Sequence, residues 1–397
     1  MARSRSIVIA GAGIGGLAVA LALARAGFRP VLLEQVARLT EAGAGIQLSP
    51  NAVGVLRDLG LAERLAPRVV APEAICIRNA RTGRELVRVP LGRDAEARYG
   101  APYWVIHRGD LQAVLLEAVA AEPDIALRLG AKAEDFALHA HGVTVRARRG
   151  HQRFDSVDEL GLALIAADGV WSTLRAVLGE REPAFARRTA WRAVVPAERV
   201  TAELRAPVTN LWLGANAHLV HYPVRAGAMV NIVAIIEDAW REPGWSAVGR
   251  REELLARFAR WAPAAQALLA LPEQWLKWAL FEGPVARRRD RGPVTLIGDA
   301  AHPMLPFVAQ GGAMAIEDAA VLAARLAERA DDPAAALRAY EAQRRARTAR
   351  VQRAAHRVGQ IYHLRGPAAA LRDAALAAMG GPRLLARYDW LYGWRAR

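Results

Sequence analysis

Four clusters carry the residue types in this chain that could do chemistry, and three of them set glycine beside a carboxylate. The first comes almost at once. Gly11-x-Gly13-x-x-Gly16 follows an apolar run at 7–10 and leads into a helical stretch at 17–26, and Glu34 closes a second apolar run at 30–34. Strand, glycine turn, helix and acid in that order make a dinucleotide cradle. Gly11 permits the tight turn, Gly13 lets a pyrophosphate approach the backbone, and Gly16 lets the helix pack on the strand. The N-terminus of the helix offers free N–H groups and a positive dipole end to phosphate, and Glu34 can accept hydrogen bonds from a ribose.

The second cluster is Asp168-Gly169, which ends the apolar run 162–167 and continues to Ser172 and Arg175. Asp-Gly also forms turns unaided. In the third, Gly298-Asp299 ends the apolar run 294–297 and leads through His302-Pro303 and Pro306 to Gln310-Gly311-Gly312. A carboxylate at the end of a buried strand needs a partner to offset its desolvation, and the loop beyond Asp299 points to a ligand. Gly311 and Gly312 open a helix over 313–329 whose positive end suits an anionic edge. Glu317 and Asp318 are expected to shape its first turns. The fourth cluster is His218-x-x-His221-Tyr222-Pro223. On a strand His218 and Tyr222 share one face and His221 takes the other. Only one face can line a pocket, so His218 with Tyr222 and His221 compete for the role of base.

The elements that must position these clusters alternate strand and helix over the first 70 residues. A strand-rich stretch spans 74–89. A helix over 111–121 follows His107-Arg108-Gly109-Asp110, with Asp110 as its N-cap. Arg108, at that strand-to-helix turn, suits an anionic oxygen or an ion pair with Asp110. Strands are expected at 125–129, 142–148, 191–196, 211–223 and 229–236, helix over 250–269, and helix from 312 almost to the end. Nucleotide-type segments thus recur at the start and near 108, 168 and 298, with antiparallel blocks between them. The chain weaves twice out of one α/β unit into a second, sheet-based layer.

The chain has 397 residues, 53% of them hydrophobic, enough for two cored domains. The single cysteine, Cys76, excludes an internal disulfide, a CxxC pair and a cysteine metal cluster, and reads as a small buried residue. The net charge of +15 is almost all arginine and is scattered, not gathered among aromatics, which argues against nucleic acid as a partner. The run from Arg344 through Arg347 to Arg350 reads as a solvated helix face. Arg192 and Arg225 could meet a substrate carboxylate. No leader and no uncharged apolar run of about 18 residues is visible, so the expectation is a cytoplasmic protein, neither secreted nor membrane-bound.

With its three glycine–acid motifs in order, the chain resembles the single-component FAD-dependent aromatic monooxygenases, specifically the branch acting on salicylate, 3-hydroxybenzoate or 6-hydroxynicotinate. The resemblance covers nearly the whole length and includes 43–51 and the stretch from Tyr388 to Tyr392. It implies an α/β, p-hydroxybenzoate hydroxylase-like fold. A discontinuous Rossmann-like FAD-binding domain (1–72, 100–180 and 285–330) would interleave with an antiparallel-sheet substrate domain (73–99 and 181–284). A C-terminal helical region, 331–397, would follow.

The same resemblance implies that Gly11, Gly13, Gly16 and Glu34 hold the ADP part of FAD, with Gly45, Gln47 and Ala133 also at the cofactor. Arg108 and Asp168 would lie by the pyrophosphate, Asp299 by the ribitol, and the Gly311 and Gly312 amides by the flavin N1–C2=O edge. Pro306, through its carbonyl, and Gln310 would sit beside the substrate, as would His218 and Tyr222. Gln47 stands where the hydroxynicotinate branch carries histidine, which shifts weight to hydroxybenzoates. The implied chemistry is reduction of FAD by NADH or NADPH, addition of O2 at flavin C4a, and transfer of the distal hydroperoxide oxygen to a phenolic ring. A monomer or homodimer is expected. Other readings are an FAD oxidase, halogenase or epoxidase, or a non-catalytic flavin binder. A halogenase would be expected to carry a second tryptophan shortly after Trp191, where this chain has Arg192-Ala-Val-Val-Pro196.

Overall fold

Ile7, Val8 and Ile9 are fully buried because the strand Ser6–Ala10 is the centre of a five-stranded parallel sheet. A central parallel strand is covered on both faces and reads as continuous apolar sequence. The sheet order is Val294–Leu296, Ala163–Ala166, Ser6–Ala10, Arg29–Glu34, Ala126–Leu129. Three of the glycine–acid motifs therefore leave neighbouring strands at one end of the sheet. The helix Ile14–Arg25 packs against this sheet and against the helix Gly311–Glu328. A side chain at Gly16 would place Cβ 1.9 Å from the Gly11 carbonyl oxygen, so only glycine lets turn and helix meet. These coordinates are a computed structural model that describes residues 5–39, 44–149, 156–244, 246–286 and 291–396. The first part of the 43–51 motif lies outside the described residues.

The second layer is an eight-stranded sheet built from Ala74–Asn79, Glu85–Pro90 and six strands between Ala184 and Glu282. It is mixed rather than antiparallel, because Ala74–Asn79 runs parallel to Thr209–Gly214. The expected single strand over 211–223 is a hairpin, Thr209–Gly214 and Ala217–Val224. Its turn includes Asn216, held at φ +57°. The expected helix over 250–269 is two short helices, Arg251–Arg257 and Pro263–Ala270, with Pro263 starting the second. The helix after His107 starts at Arg108, so Asp110 lies in its first turn and is not its N-cap. One face of the sheet buries Trp191, Trp212 and Trp275 beneath the two short helices. The other face turns toward the loop at 305–308 and the C-terminal helices.

The arginine run contradicts its expected solvation. Arg344 is buried on the long helix Pro333–Tyr362 and faces Glu317 and Asp318, both fully buried, across the interface with Gly311–Glu328. Arg344 donates from Nη1 to Glu317 and from Nε to Asp318, each at 2.6 Å, and Arg347 donates twice to Glu317 at 2.6 Å. Burial pushes the Asp318 carboxyl up, but His302 and Arg344 outweigh it and hold the group below the usual carboxylate range. Glu317 and Asp318 therefore lock helices together rather than merely shaping a helix start. Removing one member leaves buried charge uncompensated. Arg344→Leu should lower stability by about 3–5 kcal/mol in urea unfolding. A loss below about 1 kcal/mol would contradict this account.

Candidate active site

The dinucleotide turn opens on a cleft of about 630 Å³ lined by Gly11, Gly13, Glu34, Arg108, Ala133, Asp168 and Asp299. Gly11 has φ +101°, and an added Cβ there would lie 2.5 Å from the Ala167 carbonyl oxygen. At Gly13 a Cβ would meet nothing within 4 Å, so the backbone faces open space. The helix behind it has no side-chain cap and no acid in its first turn, which leaves its positive end available to phosphate. Glu34 is held in place by the Ala12 and Val36 amides, at 2.8 and 3.0 Å. Asp168 accepts from the Ser172 hydroxyl at 2.5 Å and the Leu174 amide at 3.2 Å, so it also ties its own loop together. Gly16 is not on the cleft wall; its part is the close packing described above.

Arg108, Val170, Trp171, Arg192 and Asp299 line both this cleft and a second cavity of about 260 Å³ between the layers. Burial pushes the Asp299 carboxyl up, and His302 and Arg108 pull it back. Gly311 and Gly312, at the start of an 18-residue helix with no acid in its first turn, lie on the cavity wall. Gly45 and Gln47 enter from the two-stranded ribbon Gly45–Leu48 with Trp104–His107. Gly45 donates to Asn231 at 2.6 Å, and a Cβ there would fall 2.5 Å from the Tyr222 ring. Arg192 is buried with its guanidinium 4.5 Å from the Trp278 ring centre. Arg225 is half-exposed and pairs with Asp110 at 3.5 Å.

The hairpin divides its side chains as the strand period requires. His218 and Tyr222 line the cavity with Pro306. His221 lies on the far face near Trp212, and neither of its ring nitrogens has a hydrogen-bond partner among the described residues. Burial, then Arg78, drives its pKa down to about 3. Gln310 is fully buried and lines neither cavity. It donates to Ser49 at 2.8 Å and accepts from Asn51 at 3.1 Å. So the structure brings His218, Tyr222 and Pro306 together and leaves His221 and Gln310 outside.

Four features escaped the sequence reading. Tyr103 donates to Gln47 at 2.7 Å and lines an adjoining cavity of about 100 Å³, which His218 and Pro306 share. Trp171 stacks edge-on against Phe281 at 4.6 Å beside the first cavity. Asn231 anchors Gly45, and His363 stands behind His218. A tyrosine before a short apolar run gives no signal of its own, and the other contacts join residues distant in sequence.

A glycine turn at the end of a parallel sheet, opening into a largely apolar cavity against a second sheet, is the layout of a nucleotide-dependent enzyme. The chain matches the FAD binding domain family over residues 4–355 and belongs to it, among the FAD-dependent aromatic-ring monooxygenases. It is 37% identical over 390 residues to 3-hydroxybenzoate 6-hydroxylase 1 of Aquipseudomonas alcaligenes, covering 98% of this chain and 97% of the relative. It is 39% identical to 3-amino-4-hydroxybenzoate 2-monooxygenase PtnB3 of Streptomyces platensis, covering 98% and 96%. Among solved structures it is similar to Klebsiella pneumoniae HpxO complexed with FAD and uric acid, with TM-score 0.84, 26% identity and coverage of 98% and 96%. Among the described residues no helix is long and apolar enough to cross a membrane.

Two outcomes follow from the site. Asp299→Ala should purify with less than half of the flavin retained by the parent; full flavin content would remove Asp299 from the cofactor site. The second concerns His221. A histidine held neutral in the fold takes up a proton near pH 6.5 only when unfolded, so stability is full above that pH and falls as pH drops toward about 3. His221→Leu should flatten this acid limb by about 1.4 kcal/mol per pH unit. Parallel stability curves for variant and parent between pH 6 and 4 would refute it.

Proposed function

We propose that this protein hydroxylates the ring of a phenolic carboxylate of the 3-hydroxybenzoate or salicylate type, using FAD, O2 and NADH or NADPH. The observation that carries the reading is the shared wall of Arg108, Arg192 and Asp299. It joins a nucleotide cleft to a cavity bearing a buried imidazole, a tyrosine and a buried arginine. On this reading 1–72, 100–180 and 285–330 hold the cofactor, 73–99 and 181–284 the substrate, and 331–397 covers both.

The open backbone at Gly13 and the uncapped helix behind it fit a pyrophosphate, with Arg108 beside it. Glu34 takes the adenosine ribose and Asp299 the ribitol. Gly311 and Gly312 would offer their amides and the positive end of their helix to the flavin, where they would favour the negative charge of its reduced form. FAD supplies, when bound and reduced, the oxygen-activating chemistry. The rest falls to the chain's own side chains. Arg192, stacked on Trp278, offers a cation to the substrate carboxylate. His218 stands on the cavity wall as the candidate base; burial, then His363 and Arg188, drives its pKa well below the usual range and keeps it neutral, so a ring nitrogen can accept a hydrogen bond from the phenolic hydroxyl. Tyr222 lies against Gln47, and burial pushes its hydroxyl up, so it stays protonated and can donate to a phenolate. The Pro306 carbonyl borders the reacting ring. Apolar walls such as Val220, Ile235 and Leu280 exclude water from the reacting oxygen.

The relatives named for 3-hydroxybenzoate and 3-amino-4-hydroxybenzoate support a hydroxybenzoate, and Gln47 supports it over hydroxynicotinate. The test is a panel of 3-hydroxybenzoate, salicylate, 3-amino-4-hydroxybenzoate, 6-hydroxynicotinate and urate. Each is scored for stimulated NADH and NADPH oxidation and for a one-oxygen gain in product mass. A hydroxybenzoate should give both signals. Oxidation with peroxide alone and no oxygenated product from any member would overturn the proposal.

A further inference from the structure

The cavity that holds His218 and Tyr222 does not end at His218. A chamber of about 100 Å³ continues it, between the mixed sheet and the C-terminal helices. Gln47, His218, Val220, Pro306 and Ala309 border both spaces. One row of cross-strand partners runs beneath them: Ile77 beside Leu211, Leu211 beside Val220, Val220 beside Val233. Ile77 and Leu211 line the chamber, Val233 lines the cavity, and Val220 lines both. The opposite wall comes from the helix Gly381–Ala386 and the residues just after it, through Leu384, Leu385, Tyr388 and Tyr392.

The chamber is selective in kind and in size. Among the described residues no lysine, arginine, aspartate or glutamate lines it. A charged group placed there would lose its water without gaining a partner. The walls are mostly aliphatic side chains and tyrosine rings, and the Tyr103 hydroxyl is already donated to Gln47 at 2.7 Å. An apolar cavity of about 150 Å³ takes the six carbons of benzene. On that scale a chamber of about 100 Å³ takes about four carbons.

We propose that this chamber is a substituent pocket, and that the preferred substrate is a hydroxybenzoate bearing an uncharged alkyl group of up to about four carbons beside its hydroxyl. This rests on the reading of the site as that of a phenolic-carboxylate hydroxylase. Arg192 borders the cavity and not the chamber, so the carboxylate stays at the cavity end. His218 stands on the border and receives the hydroxyl. The ring carbon next to the hydroxyl, on the side away from the carboxylate, then faces the chamber. In 3-hydroxybenzoate that is carbon 4. The unsubstituted acid leaves these apolar walls unfilled, and an alkyl group covers them and gains their burial.

The test takes the FAD-loaded protein and measures binding by calorimetry, and hydroxylated product by mass, for 3-hydroxybenzoate and its 4-methyl, 4-ethyl, 4-isopropyl, 4-hexyl and 4-carboxy derivatives. Kd should fall about three- to four-fold per carbon through the isopropyl acid, with kcat/KM rising in step, and the hexyl and carboxy acids should bind more weakly than the isopropyl acid. Val89 and Leu384 line the chamber and not the cavity. Val89→Phe, which fills the chamber, should erase the gain from the isopropyl group and leave 3-hydroxybenzoate unchanged. Leu384→Ala, which enlarges it, should move the optimum to a longer chain. The acid series on the unaltered protein needs no variant: if 3-hydroxybenzoate is bound and hydroxylated but its alkyl derivatives gain nothing, the pocket is overturned and the functional reading stands. An equal loss for every acid in a flavin-replete Val89→Phe makes the chamber part of the seat of the bare ring and overturns the pocket as well. If neither 3-hydroxybenzoate nor any derivative binds or gains oxygen, the functional reading falls and the pocket with it.

Discussion

Glu317 and Asp318, side by side on one helix and sealed from water, hold the centre of this molecule. Their charge is balanced by Arg344 and Arg347 from the long C-terminal helix. Asp318 also accepts from His302 and from the Gly298 amide, at 2.7 and 2.9 Å, and so grips the loop that carries Asp299. Glu317 accepts from Asn51 at 2.6 Å, and Asn51 in turn meets Gln310. One ionic cluster thus sets the helix that begins at Gly311, the loop after Leu296 and the segment around 49–51. Paired, hydrogen-bonded charge of this kind is costly to assemble and more costly to break, which makes the relative placement of the three pieces all but rigid.

That rigidity is what the cavity needs. The start of the helix Gly311–Glu328, the Asp299 loop and the ribbon Gly45–Leu48 form one side of it. The mixed sheet forms the other, presenting His218, Val220, Tyr222 and Ile235. Gly45 is tied to that sheet through Asn231, so the two sides are stitched at their closest approach. A site for oxygen transfer must hold its reactants within tenths of an ångström and keep water away. Fixed backbone on one side and a β-sheet on the other supply both.

Much of the parallel sheet and the nucleotide turn was legible from the chain. Glycine at 11, 13 and 16 answers a local steric demand, and continuous apolar strands answer two-sided burial. The strand period likewise placed His218 and Tyr222 on one face and His221 on the other. The reading failed where distant residues decide. Arg344 has the spacing of a solvated arginine and is buried because two carboxylates await it. Gln310 follows the loop of the third motif yet turns away from the cavity, because Ser49 and Asn51 satisfy its amide. The parallel pairing of Ala74–Asn79 with Thr209–Gly214 joins strands more than a hundred residues apart and leaves no trace in either.

By itself the sequence determined the dinucleotide turn, the strands that bear its acids, the twofold excursion into a second layer and the resemblance to flavin-dependent hydroxylases. Those follow from short-range sterics, hydrophobic period and motif order, all of which are written within a few residues. Only the tertiary structure decided which histidine meets the cavity wall with a second imidazole at its back, which arginine is buried over a tryptophan, and which carboxylates serve the core instead of a ligand. Such choices depend on desolvation, and desolvation is a property of whatever the fold brings alongside a side chain, not of its neighbours in the chain.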